Sequence, residues 1–442
     1  MIRSSTALAV LLLVISAGSA APARAQVTAT PPPAPAEPEQ PEPDGVEMRW
    51  NPRPSLRFGD DMLRIDLRVK VQMDWRWAPD DIELRGGLFQ LQRRRVGAQG
   101  VFLKHFEYEV ERELDFEPQE ALEGGLDEVD DSPWRDVFVN FRYFRDAQIK
   151  AGKFKVPFSL EQITGPTNLD FVYRSRIAAD LAPGRDIGGM VHGRGRVVGY
   201  EVGLFQHDGE NSKFDFNPGA DTTVAGRFLV RPLRIEDSEL DALEVGIAAT
   251  VGDVPEGLNT LRGRSTWGDP FFFDAYVNGR RIRLGAEANW EPRNFSVKSE
   301  YIRTRDERRE QGILADDLPE LVAQGWYVAA TWVVTGEDKS GGVEPRRPLF
   351  AGGVGAIELA GRYERIRMGS DAPGEPEEQN PRAINLLENG ERLWTFGLNW
   401  YLNRWVRIQL NGIHETIDDI ERSPSSTQNS FWLGVARLQL VL

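Results

Sequence analysis

The chain has 442 residues, no cysteine, four histidines and a net charge of −15 at pH 7. No thiol chemistry, disulfide framework or Cys-based zinc site is open to it, and the acidic balance argues against a nucleic-acid partner. The histidines stand in neither H-x-x-x-H nor H-E-x-x-H spacing, so no metal site and no cofactor is expected.

The N-terminus reads as an export leader. Arg3 supplies a positive start, Ala7 to Ala17 is an unbroken apolar run, and Ala23-Arg24-Ala25 offers small residues at the cleavage positions. The apolar run is shorter than the roughly 20 residues a membrane anchor needs. Residues 1–25 are therefore expected to be a signal peptide, and their loss would leave a net charge of −17. Residues 26–54 are rich in Pro and Glu (TATPPPAPAEPEQPEPDG). Such composition favours extended polyproline II and cannot bury a core, so a periplasmic spacer is expected. Residues 55–442 then form one domain.

From Leu63 to Trp77 the odd positions are all apolar. The even positions are Arg64, Asp66, Arg68, Lys70, Gln72, Asp74 and Arg76. Fifteen residues of strict alternation put one class on each face of a strand. A dense charged face, a long strand and an export leader together predict an outer-membrane barrel, apolar side to lipid and polar side to water. The pattern recurs at 61–77, 88–103, 105–116, 133–145, 147–158, 187–196, 197–208 and 220–231. It continues at 242–252, 281–291, 293–304, 324–335, 355–367, 392–402, 404–418 and 429–442. The expected fold is all-β, a 16-stranded antiparallel transmembrane β-barrel. Short even links (Lys104-His105, Arg145-Asp146, Asn403-Arg404) alternate with long odd ones (117–132, 159–186, 253–280, 305–323, 368–391), the rule for periplasmic turns and outer loops. The even links 232–241 and 336–354 are long, so 18 strands is the competing count. Trp75, Trp77, Trp134, Trp290, Trp326, Trp400, Tyr401, Trp405 and Trp432 near strand ends predict an interfacial aromatic girdle.

An anion pore needs fixed positive charge in its lumen. The inward phase supplies Arg68 and Lys70, then Arg93 and Arg95. Taking Phe154 and Val156 as lipid-facing places Lys153 and Lys155 inward. Loop 159–186 carries apolar stretches that an outer loop would lack. It is expected to fold in as the third loop, bringing Arg174, Arg176 and Arg185 to a constriction. The other reading is an outer cap loop. Glu107, Glu109, Glu111, Glu113 and Asp115 share the inner phase and can neutralise the neighbouring bases.

RRRVGAQGVFLKHFEYEVERELDF, WRDVFVNFRYFRDAQIKAGKFKVPFSLE, LAPGRDIGGMVHGR and WTFGLNWYLNRWVRIQLNG, in this order, resemble the phosphate-selective porin O and P family, as does the closing ARLQLVL. The resemblance spans roughly Leu56 to Leu442. It implies a homotrimer of 16-stranded barrels with an inward third loop and basic lumen residues, matched here at Arg93, Arg95, Lys153, Lys155 and Arg185. The final strand is similar to the signature read by the outer-membrane assembly machinery, although Leu442 stands where an aromatic is usual. The expected function is a porin in outer-membrane lipid that passes small solutes, including anions such as phosphate. A structural barrel anchored through the Pro-rich segment is the alternative. A barrel enzyme is not expected, because no His has a Ser at a recognisable spacing.

Overall fold

The computed structural model describes residues 47–50, 53–59, 62–79, 88–114, 133–209, 222–233, 238–259, 261, 263–370, 372, 380–424 and 428–442. The expected leader 1–25 and most of the expected spacer lie outside these residues. The spacer's end does not remain irregular, because Glu47–Arg49 forms a short strand, β1. It pairs with β2 (Ser55–Phe58).

Sixteen further strands follow. They are β3 (Leu63–Trp77), β4 (Phe89–Phe102), β5 (Phe106–Glu113), β6 (Trp134–Phe141), β7 (Gln148–Lys155), β8 (Arg185–Arg194), β9 (Val198–Phe205) and β10 (Thr223–Val230). Then come β11 (Leu243–Leu258), β12 (Tyr276–Trp290), β13 (Phe295–Arg308), β14 (Leu318–Val333), β15 (Ala356–Ser370), β16 (Asn389–Tyr401), β17 (Val406–Ile417) and β18 (Ser430–Val441). Each pairs antiparallel with the next, and β18 pairs with β3. The sixteen therefore form a closed barrel with no free edge, the condition for a sheet to cross lipid. The two long even links stay single connections, so the 18-strand count is set aside. Strands β11, β12 and β14 run further toward the long loops than the sequence suggests. Pro255 and Gly257, which look like breakers, sit in an extension of β11 where the register slips between Val254 and Gly257.

The seam of the barrel is shared. Arg437 of β18 lies opposite Asp74 of β3, and its Nε and Nη2 each donate to that carboxylate at 2.6 Å. Leu442 and Val69 exchange backbone hydrogen bonds. Beyond that point β2 takes over the same edge of β3, with Ser55 opposite Asp66 and Phe58 opposite Leu63.

The β3 alternation holds: Lys70, Gln72, Asp74 and Arg76 are buried while Trp75 and Trp77 are about half exposed. The tightest short turn places Leu103 (φ 48°) and Lys104 (φ 62°) both in the left-handed region, which costs an L-residue about 1 kcal/mol or more. Exchanging this pair for Asn-Gly should raise stability by roughly 1 kcal/mol, read as a higher urea midpoint for the refolded barrel.

The inner phase is not uniformly polar. Phe154, Val156, Met190, Phe205 and Ala225 form one buried cluster on β7–β10, and the Lys150 ammonium sits 4.4 Å from the Phe138 ring centroid beside it. The expected phase of the β7 end is thereby corrected. Phe154 is 3% exposed and packs edge-on to Phe205 at 5.4 Å. Lys153 instead pairs with Val137 and with Ile187, which is 49% exposed. An apolar residue marks a dry neighbour, and here that neighbour is protein rather than lipid. Tyr401 is corrected likewise. It is not a girdle residue, because its hydroxyl donates to Glu358 at 2.8 Å.

A second, larger cluster joins Ile302, Leu321, Ile366, Leu393, Ile413 and Leu433 of the β13–β18 wall to loop residues. Phe158, Phe171, Ile177 and Leu181 come from segment 156–184, and Trp267, Phe271 and Phe272 from the β11–β12 loop.

Candidate functional site

Segment 156–184 carries two short helices, α1 (Leu160–Ile163) and α2 (Arg176–Asp180), each N-capped by a serine, Ser159 and Ser175. Polar side chains from many strands hold it. Ser159 Oγ donates to Glu300 at 2.7 Å, and the Glu161 N–H donates to the same carboxylate at 2.6 Å. Arg362 donates to Glu161 at 3.0 Å and stacks 4.6 Å from the Phe171 ring centroid. Asn411 accepts from the Val172 N–H at 2.8 Å, and Arg437 donates to the Val172 carbonyl at 2.8 Å. Arg407 reaches the Thr167 carbonyl at 3.0 Å.

The expected site residues fall into three groups. Arg68, Lys70 and Arg95 meet the acids of β5. Arg68 pairs with Glu109 and Lys70 with Glu111, while Arg95 reaches Glu111 at 3.2 Å and Glu113 at 2.6 Å. Arg185 is similarly tied to Asp136, at 2.8 Å from Nη2. In the second group the bases hold the segment itself. Lys155 Nζ donates to the carbonyls of Gln162, Ile163 and Thr164 at 2.8, 3.3 and 2.8 Å. Arg174 reaches the Glu161 and Thr164 carbonyls at 3.1 and 2.7 Å. Two cations thus neutralise the carbonyl end of α1. Arg176 reaches Asp180 at 2.6 Å, Glu391 at 3.2 Å and the Arg264 carbonyl, while its N–H donates to Glu364 at 2.5 Å. Arg93 stands alone in the third group. Its Nη1 donates to the neutral Gln72 amide at 2.6 Å, while the guanidiniums of Arg437, Arg95 and Arg174 repel it and Asp74 attracts it. Lys153 has its ladder partners outside these groups.

Two cavities flank the segment. The larger, about 950 Å³, is lined among the described residues by Gln162, Pro166 and Leu169, by nine arginines and by two carboxylates, Glu113 and Glu364. Seven of the nine expected bases are held by carboxylates or by carbonyls of the segment, and Arg93, Arg95, Arg174, Arg176 and Arg185 all reach its wall. The smaller, about 600 Å³, is lined by Thr164, Thr167, Asp170, Lys298, Lys339 and Arg407 among others. Residues between Leu160 and Asp170 therefore border both. Asp170 is the hub here. Lys298 reaches it at 3.0 Å and Lys339, from the long even link, at 2.7 Å. Burial alone would raise its carboxyl, but Lys339 and Lys298 outweigh that and hold it well below the usual range.

Sequence reasoning missed Asp170, Lys339 and Arg362. Arg362 sits on the polar phase of β15 beside Glu364 and was readable by alternation; the other two meet across 169 residues of chain and carry no local signal. It also missed a Ser–His contact. Ser430 Oγ lies 3.0 Å from His414 Nε2, because β17 and β18 bring residues 16 apart side by side. His414 packs against the exposed Trp432 at 4.8 Å, on the outer face of the barrel.

The family model for phosphate-selective porin O and P matches residues 64–442. Among curated proteins none matches. Solved structures that are similar include the anion-selective porin from Comamonas acidovorans, at 10% identity and TM-score 0.50 over 86% of this chain and 99% of that one. OmpF of Salmonella typhi in complex with daunomycin aligns at 10% identity and TM-score 0.52, over 87% and 99%. The outer membrane channel DcaP of Acinetobacter baumannii aligns at 8% identity and TM-score 0.52, over 87% and 99%. At such identities the likeness is one of fold.

Proposed function

Because the chain belongs to the phosphate-selective porin O and P family, and so is an outer-membrane channel for passive diffusion, we propose that its lumen favours small anions and that segment 156–184 lies across it as the constriction. The observation that carries this reading is the excess, among the described residues, of nine arginines over two carboxylates around the larger cavity. Fixed guanidiniums in a narrow, low-dielectric passage raise the local anion concentration and repel cations. Arg93 is the base most able to act on a passing ion, since its hydrogen-bond partner Gln72 is neutral. The residues around Asp170 lie on the short-turn side, which is periplasmic by the barrel rule. For residues 1–25 we infer a leader and for 26–54 a periplasmic spacer, a reading supported by β2 pairing with the short-turn end of β3.

The assembly we propose is a homotrimer. Strands β5, β6, β7, β9 and β10 have only eight residues each, against 12 to 16 in β11–β18. Eight residues at about 3.3 Å, tilted about 45°, give a wall of roughly 19 Å, short of the ~25 Å apolar band. Contact with further copies of the chain would cover the shortfall.

Planar-bilayer recording of the purified protein tests the reading. A salt gradient should give a reversal potential of anion-selective sign, phosphate should reduce the chloride current, and insertions should come as steps in threes. Cation selectivity would overturn the anion assignment, and absence of conductance would favour the structural barrel.

A further inference from the structure

On the outer face of β13–β18 an aromatic row ends in a band of arginine. Tyr363 and Trp394 lie 4.6 Å apart, Trp326 lies 5.4 Å from Tyr363, and His414 continues the row to Trp432. One pleat step toward the long loops, Arg365 and Arg392 face each other in register. A further step brings Arg303 and Arg367, each opposite Gln324, with Arg305 beyond. Arg305, Arg367 and Arg392 are each more than 40% exposed. A wall facing hydrocarbon cannot carry five arginines, so this band marks the level of the headgroups.

At the centre of the band one acid serves several bases. A single carboxylate, Asp418, is shared by Arg392 at 3.0 Å, Arg365 at 3.3 Å and Arg367 at 3.8 Å. Glu388 lies 3.6 Å from Arg367 and Glu320 3.7 Å from Arg305. Three guanidiniums thus share Asp418. Three guanidinium forks converging on one acceptor suit a group with more oxygens and more charge than a carboxylate.

We propose that this band binds the phosphate groups of an anionic outer-leaflet lipid, whose acyl chains lie along the aromatic row below. The long loops of an outer-membrane barrel face outward, so the band meets the outer leaflet. It lies on the outer face of the barrel wall, separate from both cavities, and does not depend on what the lumen passes. Asp418 holds the three arginines together when no phosphate is present and competes with one when it is.

The test uses the full chain in detergent micelles. Binding of bisphosphorylated lipid A is compared with that of a dephosphorylated lipid A carrying the same acyl chains, by native mass spectrometry. The phosphorylated lipid should bind at least tenfold more tightly, and an Arg365→Gln/Arg392→Gln variant that still conducts should lose that difference. Asp418→Asn should tighten binding severalfold, which decides the matter should the double variant fail to fold. Equal binding of the two lipids, an unchanged affinity in Asp418→Asn, or displacement by millimolar inorganic phosphate would each overturn the proposal.

Discussion

Replacing Arg176 by alanine should cost about 3–5 kcal/mol of stability and raise the single-channel conductance. Its side chain is only 14% exposed, and it is the guanidinium that reaches both Asp180 and Glu391. Glu391 is fully buried beside a second buried carboxyl, Glu415, and Arg176 is a cation that faces both. Truncation therefore leaves this buried acidic cluster without its cation, the costly half of a broken ion pair. The same change frees α2 from the β16 wall and from the Arg264 carbonyl. Urea unfolding and bilayer recording read the two effects separately. A large loss of stability with unchanged conductance would mean that segment 156–184 does not set the width of the pore.

Reversing the charge at Arg93 should turn the ion preference. A unit charge about 6 Å from a passing ion in water contributes about 0.7 kcal/mol, of opposite sign for anion and cation. Arg93→Gln should thus lower the anion-to-cation permeability ratio by roughly tenfold, and Arg93→Glu by considerably more. Screening weakens the effect above about 0.1 M salt, where the Debye length falls below ~10 Å, so the reversal potential is best measured in dilute electrolyte. Because the hydrogen-bond acceptor of Arg93 is the neutral amide of Gln72, neither exchange breaks a hydrogen bond to a buried acid. An unchanged ratio in both variants would remove Arg93 from the ion path.

The barrel was legible because each strand of its wall separates two environments. At Leu63–Trp77 that separation is complete, and alternation alone fixes the face of every residue. It failed at Phe154 and Val156, where both faces of β7 contact something apolar, and period two cannot tell lipid from packed protein. The acids of β5 were legible as partners of Arg68, Lys70 and Arg95, since neighbouring strands of a meander lie close in sequence. The anchors of segment 156–184 were not. Glu300, Arg362 and Glu391 lie 141, 201 and 215 residues from the partners they bind, and such contacts exist only once the barrel has closed. The long link between β14 and β15 looked like a miscounted hairpin; its length carries Lys339 to Glu358 and Asp170.

The seam between β18 and β3 has a consequence for assembly order. Asp74 and Arg437 are 363 residues apart, so the first long strand to be made must wait for the last before its edge is covered. Until then β3 offers unpaired backbone to any other strand, and the entropy of so long a closure makes this step slow. β2 shortens the exposed stretch by occupying the edge from Leu63 to Asp66 from the outset. What remains open, Val69 to Trp77, is the part that only β18 completes. Closure thus acts as a completeness check: a chain interrupted before Arg437 keeps an open edge and an uncompensated Asp74, and is left marked for aggregation or proteolysis.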